Sequence, residues 1–215
     1  MLSTSRLIAI GDVHGCLQQL VGLVEKIQPK PWDKLVFLGD LINFGPSSKE
    51  VIDYLLQLEK KTPCVFLRGD AEHLLLDAVS YSDIEVTRFI QAGGGATWKS
   101  YGGAFDKIPK DHIDFFERML LYHVEEGHLF VHAGLQPGRS IERQKVEDLV
   151  SIREDYIWAE NEWDKIIVSG HTPIKKPKVT RDGKIFLDTG AGHSDRIEFG
   201  ALTACDVRRT EFFSV

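Results

Sequence analysis

The stretch RLIAIGDVHG, Arg6–Gly15, runs a short apolar segment straight into a Gly-Asp step. The pattern recurs as KLVFLGD over Lys34–Asp40 and as CVFLRGD over Cys64–Asp70. Each is a β-type run that delivers a carboxylate to the end of a strand, where α/β enzymes place their ligands. Between them, LQQLVGLVEKI (Leu17–Ile27) and SSKEVIDYLLQLEK (Ser47–Lys60) space apolar residues as helices, the second opened by GPSS as its N-cap. The order strand, helix, strand, helix, strand predicts a parallel sheet.

Outward from this core, Ala71–Leu121 reads as mostly helical, with PKDHIDFFERML (Pro109–Leu120) a further helix. The glycine-rich AGGGATWKSYGG (Ala92–Gly103) interrupts it and is no P-loop, since no Gly-Lys-Ser/Thr follows. Strands return in HLFVH (His128–His132), KIIVSGH (Lys165–His171), KIFLDTG (Lys184–Gly190) and FGALTACDV (Phe199–Val207), with a second helical insertion over Arg139–Trp163. No repeat or linker divides the chain, so residues 1–215 are expected to form a single domain. The insertions at roughly 71–121 and 139–163 are expected to form a helical cap on it.

A formal net charge of -6 argues against a protein that coats nucleic acid or an anionic membrane, both of which demand a basic surface. A phosphorylated small molecule needs only a local positive site. Cys16, Cys64 and Cys205 are odd in number and form no C-x-x-C pair. The opening MLSTSRLIAIGD holds too short an apolar run for a signal peptide, and no later run is long enough to span a bilayer. A reduced, cytoplasmic setting is expected.

The polar residues just past the apolar runs are Asp12 and His14 (GDVHG), Asp40 (GDLINFG), Asp70 (RGDAEH), His132 (VHAGL) and His171 (SGHTP). A lone Gly-Asp is an ordinary turn, and a lone His near a strand end is usually structural. Six such groups at the ends of five strands are a different matter. Mixed oxygen and nitrogen donors suit Mn, Fe, Zn or Ni, and ligand type does not separate these. Asp12 and His14, two apart on a turn, can reach one ion, and a shared carboxylate such as Asp40 can bridge two ions about 3.5–4 Å apart.

Taken together, IAIGDVHGCL, LVFLGDLINFGPSS, VFLRGDAEH, LFVHAGLQPG, DLVSIRED, VSGHTPIKKP and IFLDTGAG resemble, in unchanged order, the calcineurin-like metallophosphoesterases. Within that superfamily they are most similar to the phosphoprotein phosphatase branch, with its small bacterial and phage members. The resemblance implies a four-layer α/β/β/α fold: a central β-sandwich of two mixed sheets flanked by helices, with metals at one edge. It implies two divalent cations; Mn is the expected metal, with Fe, Zn or Ni as alternatives. Asp12, His14 and Asp40 would hold one, and Asp40, Asp70, His132 and His171 the other. Arg153 matches the arginine that grips phosphate, a role suited to a planar fork of donors. The implied reaction is in-line attack on phosphorus by a metal-bridging hydroxide.

Four positions depart from the family pattern, and three of them, the Asp, Arg and His of one functional unit, are missing together. The Asp-Arg pair after the bridging aspartate is Asn43-Phe44, the metal-binding Asn is Asp70, and the His beside it, which protonates the leaving oxygen, is Ala71. Asp70 keeps a ligand oxygen but lowers the net charge of two bound dications and their ligands from about +2 to about +1. Loss of the general acid costs about 10²–10⁴-fold for a poor leaving group and much less for a good one. His73 and His193 are the nearby candidates to replace that acid, and Asn43 and Phe44 join Arg153 as candidate substrate contacts. Trp98, Trp158 and Trp163 are expected to pack the cap, Arg139, Arg143 and Arg196 to be surface charges, and Lys175, Lys176 and Lys178 to lie on a solvated loop.

The leading expectation is a protein-phosphatase-like enzyme that cleaves phosphomonoesters, with aryl phosphates and phosphotyrosine favoured over phosphoserine. The alternatives are a hydrolase of dinucleoside polyphosphates or other nucleotides, and an impaired pseudophosphatase that uses its metals to bind a phosphorylated ligand. Substrates or partners would be a phosphorylated small molecule, a nucleotide or a phosphoprotein.

Overall fold

Residues Ile8 and Ile10 face one way and Leu7 and Ala9 the other along the first strand, and all four are fully or almost fully buried. A strand covered on both faces belongs to the middle layers of a stack. The computed structural model describes residues 5–80, 83–193 and 199–215. Among them, strands β1 (Leu7–Ile10), β2 (Lys34–Phe37) and β3 (Cys64–Phe66) are parallel and joined by α1 (Leu17–Ile27) and α2 (Ser48–Leu58), as the apolar spacing predicts. Two later strands, β9 (Thr203–Asp206) and β10 (Glu211–Ser214), add antiparallel on the β1 side, giving the order β10-β9-β1-β2-β3.

The second sheet has the order β4-β5-β6-β8-β7. Its centre is parallel: β5 (His128–Val131), β6 (Ile166–Ser169) and β8 (Lys184–Phe186). Its edges, β4 (Tyr122–Glu125) and β7 (Lys178–Val179), are antiparallel. Both sheets are therefore mixed. Leu7, Ala9, Val36 and Leu38 meet Phe130, Val168 and Ile185 between them. Ile8, Ile10 and Phe37 face the helices on one side, while Leu129, Val131, Ile167 and Phe186 pack outward with Leu149 and Tyr156 on the other. This is the expected α/β/β/α sandwich.

The segment after β3 carries α3 (Asp70–Ser80), α4 (Asp83–Phe89), a π turn (Ile90–Gly94), α5 (Gly95–Ser100) and α6 (Lys110–Glu117). The last of these stops short of the expected Leu120, because Leu120 turns to bridge Leu67 at the end of β3. The Arg139–Trp163 insertion is less helical than its pattern suggests. It holds one 3₁₀ turn, α7 (Val146–Ser151) and the single turn α8 (Glu154–Ile157). Ser47 occupies the N-cap of α2 without a side-chain cap bond, and its N–H is tied to the Gly15 carbonyl instead, at 3.1 Å. Lys178 lies on the edge strand β7 rather than a loop, and Trp158 is 82% exposed rather than packed. Arg196 lies outside the described residues. No helix of the described residues is long and apolar enough to cross a membrane.

Candidate metal centre

Both sheets deliver their strand ends to one edge of the sandwich. Asp12 follows β1, Asp40 follows β2, Asp70 opens α3 just beyond β3, His132 follows β5 and His171 follows β6. The donors form two sets that share one residue: Asp12, His14 and Asp40, and Asp40, Asp70, His132 and His171. Within each set the ligand atoms all lie within 4.8 Å of one another. Getting them this close requires unusual backbone. His14, Asp40 and His171 all have positive φ, at 46°, 48° and 63°, a strained region for residues with a side chain. At Gly69 a Cβ would overlap the Asp40 carboxylate, so only glycine lets β3 approach.

Each imidazole is oriented by a backbone carbonyl. His14 Nδ1 lies 3.0 Å from Ile42 O, His132 Nδ1 2.9 Å from Leu38 O, and His171 Nε2 3.2 Å from Ser151 O. Those nitrogens must donate, which leaves the opposite ring nitrogen as a lone pair aimed inward. His14 Nε2 is 3.5 Å from Asp40 Oδ2, and His132 Nε2 is 3.5 Å from Asp40 Oδ1. Asp70 Oδ1 lies 3.4 Å from His132 Nε2 and 3.3 Å from His171 Nδ1, and those two nitrogens are 3.1 Å apart. Among the described residues, buried Asp70 Oδ1 has no hydrogen-bond partner. Three acceptors converging on one point fit a cation, and the donor set matches a borderline divalent metal.

The electrostatics agree. Burial, with Asp188 close by, pushes the Asp12 carboxyl well above its ordinary range, and burial with Asp70 and Asp12 does the same to Asp40. Burial lowers His14 to about 4, leaving its imidazole neutral at pH 7 and ready to ligate. Burial also opposes charge on His132, yet the neighbouring carboxylates, Asp70 foremost, raise it to about 9.

A cavity of about 320 Å³ opens over these donors. Asn43, Phe44, Ala71, Arg153 and His193 line it, and so do the described ligand candidates His14, Asp40, Asp70 and His171. Arg153 Nη1 donates to the His171 carbonyl at 3.1 Å and lies 3.5 Å from Thr172 Oγ1, which holds the guanidinium at the cavity. Asn43 is buried and spends its side chain on Thr97 and the Ala92 carbonyl. His73 is not brought to the cavity: its Nε2 faces Asp77 along α3 at 3.9 Å.

Two residues escaped the sequence reading. Glu72 is fully buried and accepts four backbone N–H groups, from Asp40, Leu41, Ile42 and Gly69. Asp188 lines the cavity and accepts from Gly190 N at 2.8 Å. The signal for Glu72 was its place in LRGDAEH, an acidic residue one turn into a buried helix start.

The family profile of calcineurin-like phosphoesterases matches residues 5–196. A bis(5′-nucleosyl)-tetraphosphatase (asymmetrical) of Anoxybacillus flavithermus is 28% identical, over 96% of this chain and 92% of its own length. A symmetrical bis(5′-nucleosyl)-tetraphosphatase of Nitrosospira multiformis is 31% identical over 64% of this chain and 46% of its own. Among solved structures, a proposed diadenosine tetraphosphatase superposes with TM-score 0.75 at 23% identity, covering 100% of this chain and 94% of that one. A cold-active protein-tyrosine phosphatase of a Shewanella species gives 0.66 at 14%, covering 98% and 77%.

These relatives overturn the expectation of a protein-phosphatase-like phosphomonoesterase. Similarity along nearly the whole chain runs to proteins named as tetraphosphatases, whereas the protein phosphatases share the fold alone. With the strand-end donors, the two mixed sheets and the profile match in agreement, this chain belongs to the calcineurin-like phosphoesterase family.

Proposed function

We propose that this protein hydrolyses dinucleoside polyphosphates. Asp12, His14 and Asp40 would hold one divalent cation, and Asp40, Asp70, His132 and His171 a second, with Mn the first ion to try. When bound, the cations supply Lewis acidity toward the phosphoryl oxygens and activate water for attack on phosphorus. Arg153 grips non-bridging phosphate oxygens, a task for which a guanidinium fork is well shaped. His193 lines the same cavity, its ring 5.6 Å from that of His14, while His73, facing Asp77 along α3, takes no part.

The observation that carries this reading is Ala71, which presents a methyl group to the cavity where a proton donor would serve an alkyl phosphate. A polyphosphate leaves as a stable anion and needs little protonation, so the same site suits a phosphoanhydride. The tetraphosphatase relatives support it independently. The test is turnover of bis(5′-adenosyl) tetraphosphate by metal-stripped protein given back Mn, followed by chromatography of the products. Asp40→Asn is the control and p-nitrophenyl phosphate the comparison. Turnover of the tetraphosphate with the higher kcat/KM, lost in Asp40→Asn, is expected. Faster cleavage of the monoester, or turnover that survives Asp40→Asn, would overturn the reading.

A further inference from the structure

Phe44 is an aromatic residue held open at the metal cavity by an elaborate turn. The residue is 45% exposed and lines the cavity together with Arg153. The ring meets His14 edge-on, with centroids 4.9 Å apart, and lies 4.7 Å from the His193 ring. Its backbone is left-handed, φ 57°, as is that of Asn43 before it, φ 74°. Two consecutive residues of this kind persist only where their surroundings hold them. Asn43 N donates to Thr97 Oγ1 at 2.8 Å, and Phe44 N donates to the Gly93 carbonyl at 3.2 Å. A Cβ on Gly93 would stand 2.7 Å from the Phe44 ring, so the glycine-rich turn makes room for it.

An aromatic side chain meant only for packing would be covered. This one is fixed by its backbone, backed by one imidazole and flanked by another, and left open toward the ligand space. Arg153 offers a cationic fork for phosphate in the same cavity. A ligand with an anionic chain and a flat base meets complementary chemistry for both parts.

We propose that Phe44, with His193 beside it, receives a nucleobase by stacking and so determines the preference for nucleoside polyphosphates over base-free phosphates. The choice of substrate class rests on the hydrolase reading above, but base binding can be measured without turnover.

The experiment is calorimetric titration of the Mn-loaded full chain with AMP and with ribose 5-phosphate, which carries a hydroxyl where AMP carries the base. AMP is expected to bind about tenfold more tightly or better, as for other base–aromatic contacts. Phe44→Leu is expected to close that gap while ribose 5-phosphate binds as before, and Phe44→Trp to keep it. Equal binding of the two ligands by the wild-type chain would overturn the proposal. So would an equal loss for both in Phe44→Leu, which would make Phe44 a prop for His14. A Phe44-dependent gap in a protein that does not cleave the tetraphosphate supports the base site and refutes the hydrolase reading instead.

Discussion

The Glu72 carboxylate accepts the backbone N–H groups of Asp40 at 3.0 Å and of Leu41 at 2.7 Å, so the helix after β3 holds the loop after β2. Through Gly69 N, at 2.9 Å, the same carboxylate also ties down the turn that presents Asp70. Glu72 thus positions two candidate ligands without touching a cation. In Glu72→Gln one oxygen becomes an NH₂ that cannot accept, stranding two buried donors at about 1–3 kcal/mol each. A lower melting temperature is expected, together with Mn affinity weakened about 10–100-fold, the usual cost of removing a group that orients ligands. Thermal melts and a Mn titration check it, and wild-type Mn affinity in the variant would refute the positioning role.

Thr97 is the anchor for the Asn43-Phe44 turn. Its hydroxyl accepts from Asn43 N, donates to Asn43 Oδ1 at 3.0 Å, and lies 2.9 Å from Ser48 Oγ. Thr97→Val keeps the shape and removes all three bonds. A loss of about 2–3 kcal/mol is expected from the stranded buried groups. The amide of Asn43 should also exchange faster with solvent, because its acceptor is gone. Unchanged exchange at that amide would show that the turn holds itself.

The strand ends and all six candidate ligands were legible because the signal is local: an apolar run followed by Gly-Asp or a lone His. The groups that orient them were not. Asn43 and Thr97 meet across 54 residues, and nothing in either segment announces the other. The carbonyls that fix the imidazoles belong to Ile42, Leu38 and Ser151, whose side chains carry no hint of the role. Edge strands β4 and β10 also escaped, since their half-exposed residues lack the continuous apolar pattern of the central strands. Function was misjudged at the level of substrate: the motifs specify metals and phosphate, while the choice of phosphate ester depends on what surrounds them.

At the opposite end of β1, Asp33 is almost fully buried and accepts from Arg6 N at 2.7 Å, Arg6 Nη2 at 2.7 Å and Lys30 N at 2.8 Å. Burial alone would raise its pKa, but the Arg6 side chain and these N–H groups together hold it below the ordinary carboxylate value. A depressed folded-state pKa means that the unfolded chain binds the proton more readily, so the stabilisation is complete above the unfolded value of about 3.9. It is lost as pH falls through the folded value. Asp33→Asn should therefore cost about 2–3 kcal/mol at pH 6–7, the scale of charge-assisted bonds. That deficit should shrink below about pH 4. Melting temperatures of both proteins from pH 7 to pH 3 test this, and a gap that stays constant across the range would contradict it.

Asp70 sets the charge of the centre. Its Oδ1 faces His132 Nε2 and His171 Nδ1, and these imidazoles hold its carboxyl far below the ordinary range despite burial. With two dications bound, replacing Asp70 by Asn raises the net charge of ions and ligands from about +1 to about +2. The more positive centre grips its cations less firmly but polarises water and phosphate more strongly. Asp70→Asn is therefore expected to need at least about tenfold more Mn for half-saturation. At saturating Mn it should then turn over the tetraphosphate faster than the wild-type chain. Isothermal titration with Mn and steady-state rates at each occupancy separate the two effects. Slower turnover at full occupancy would mean that the Asp70 negative charge itself serves the reaction, for instance by orienting substrate, and the electrostatic argument would fail.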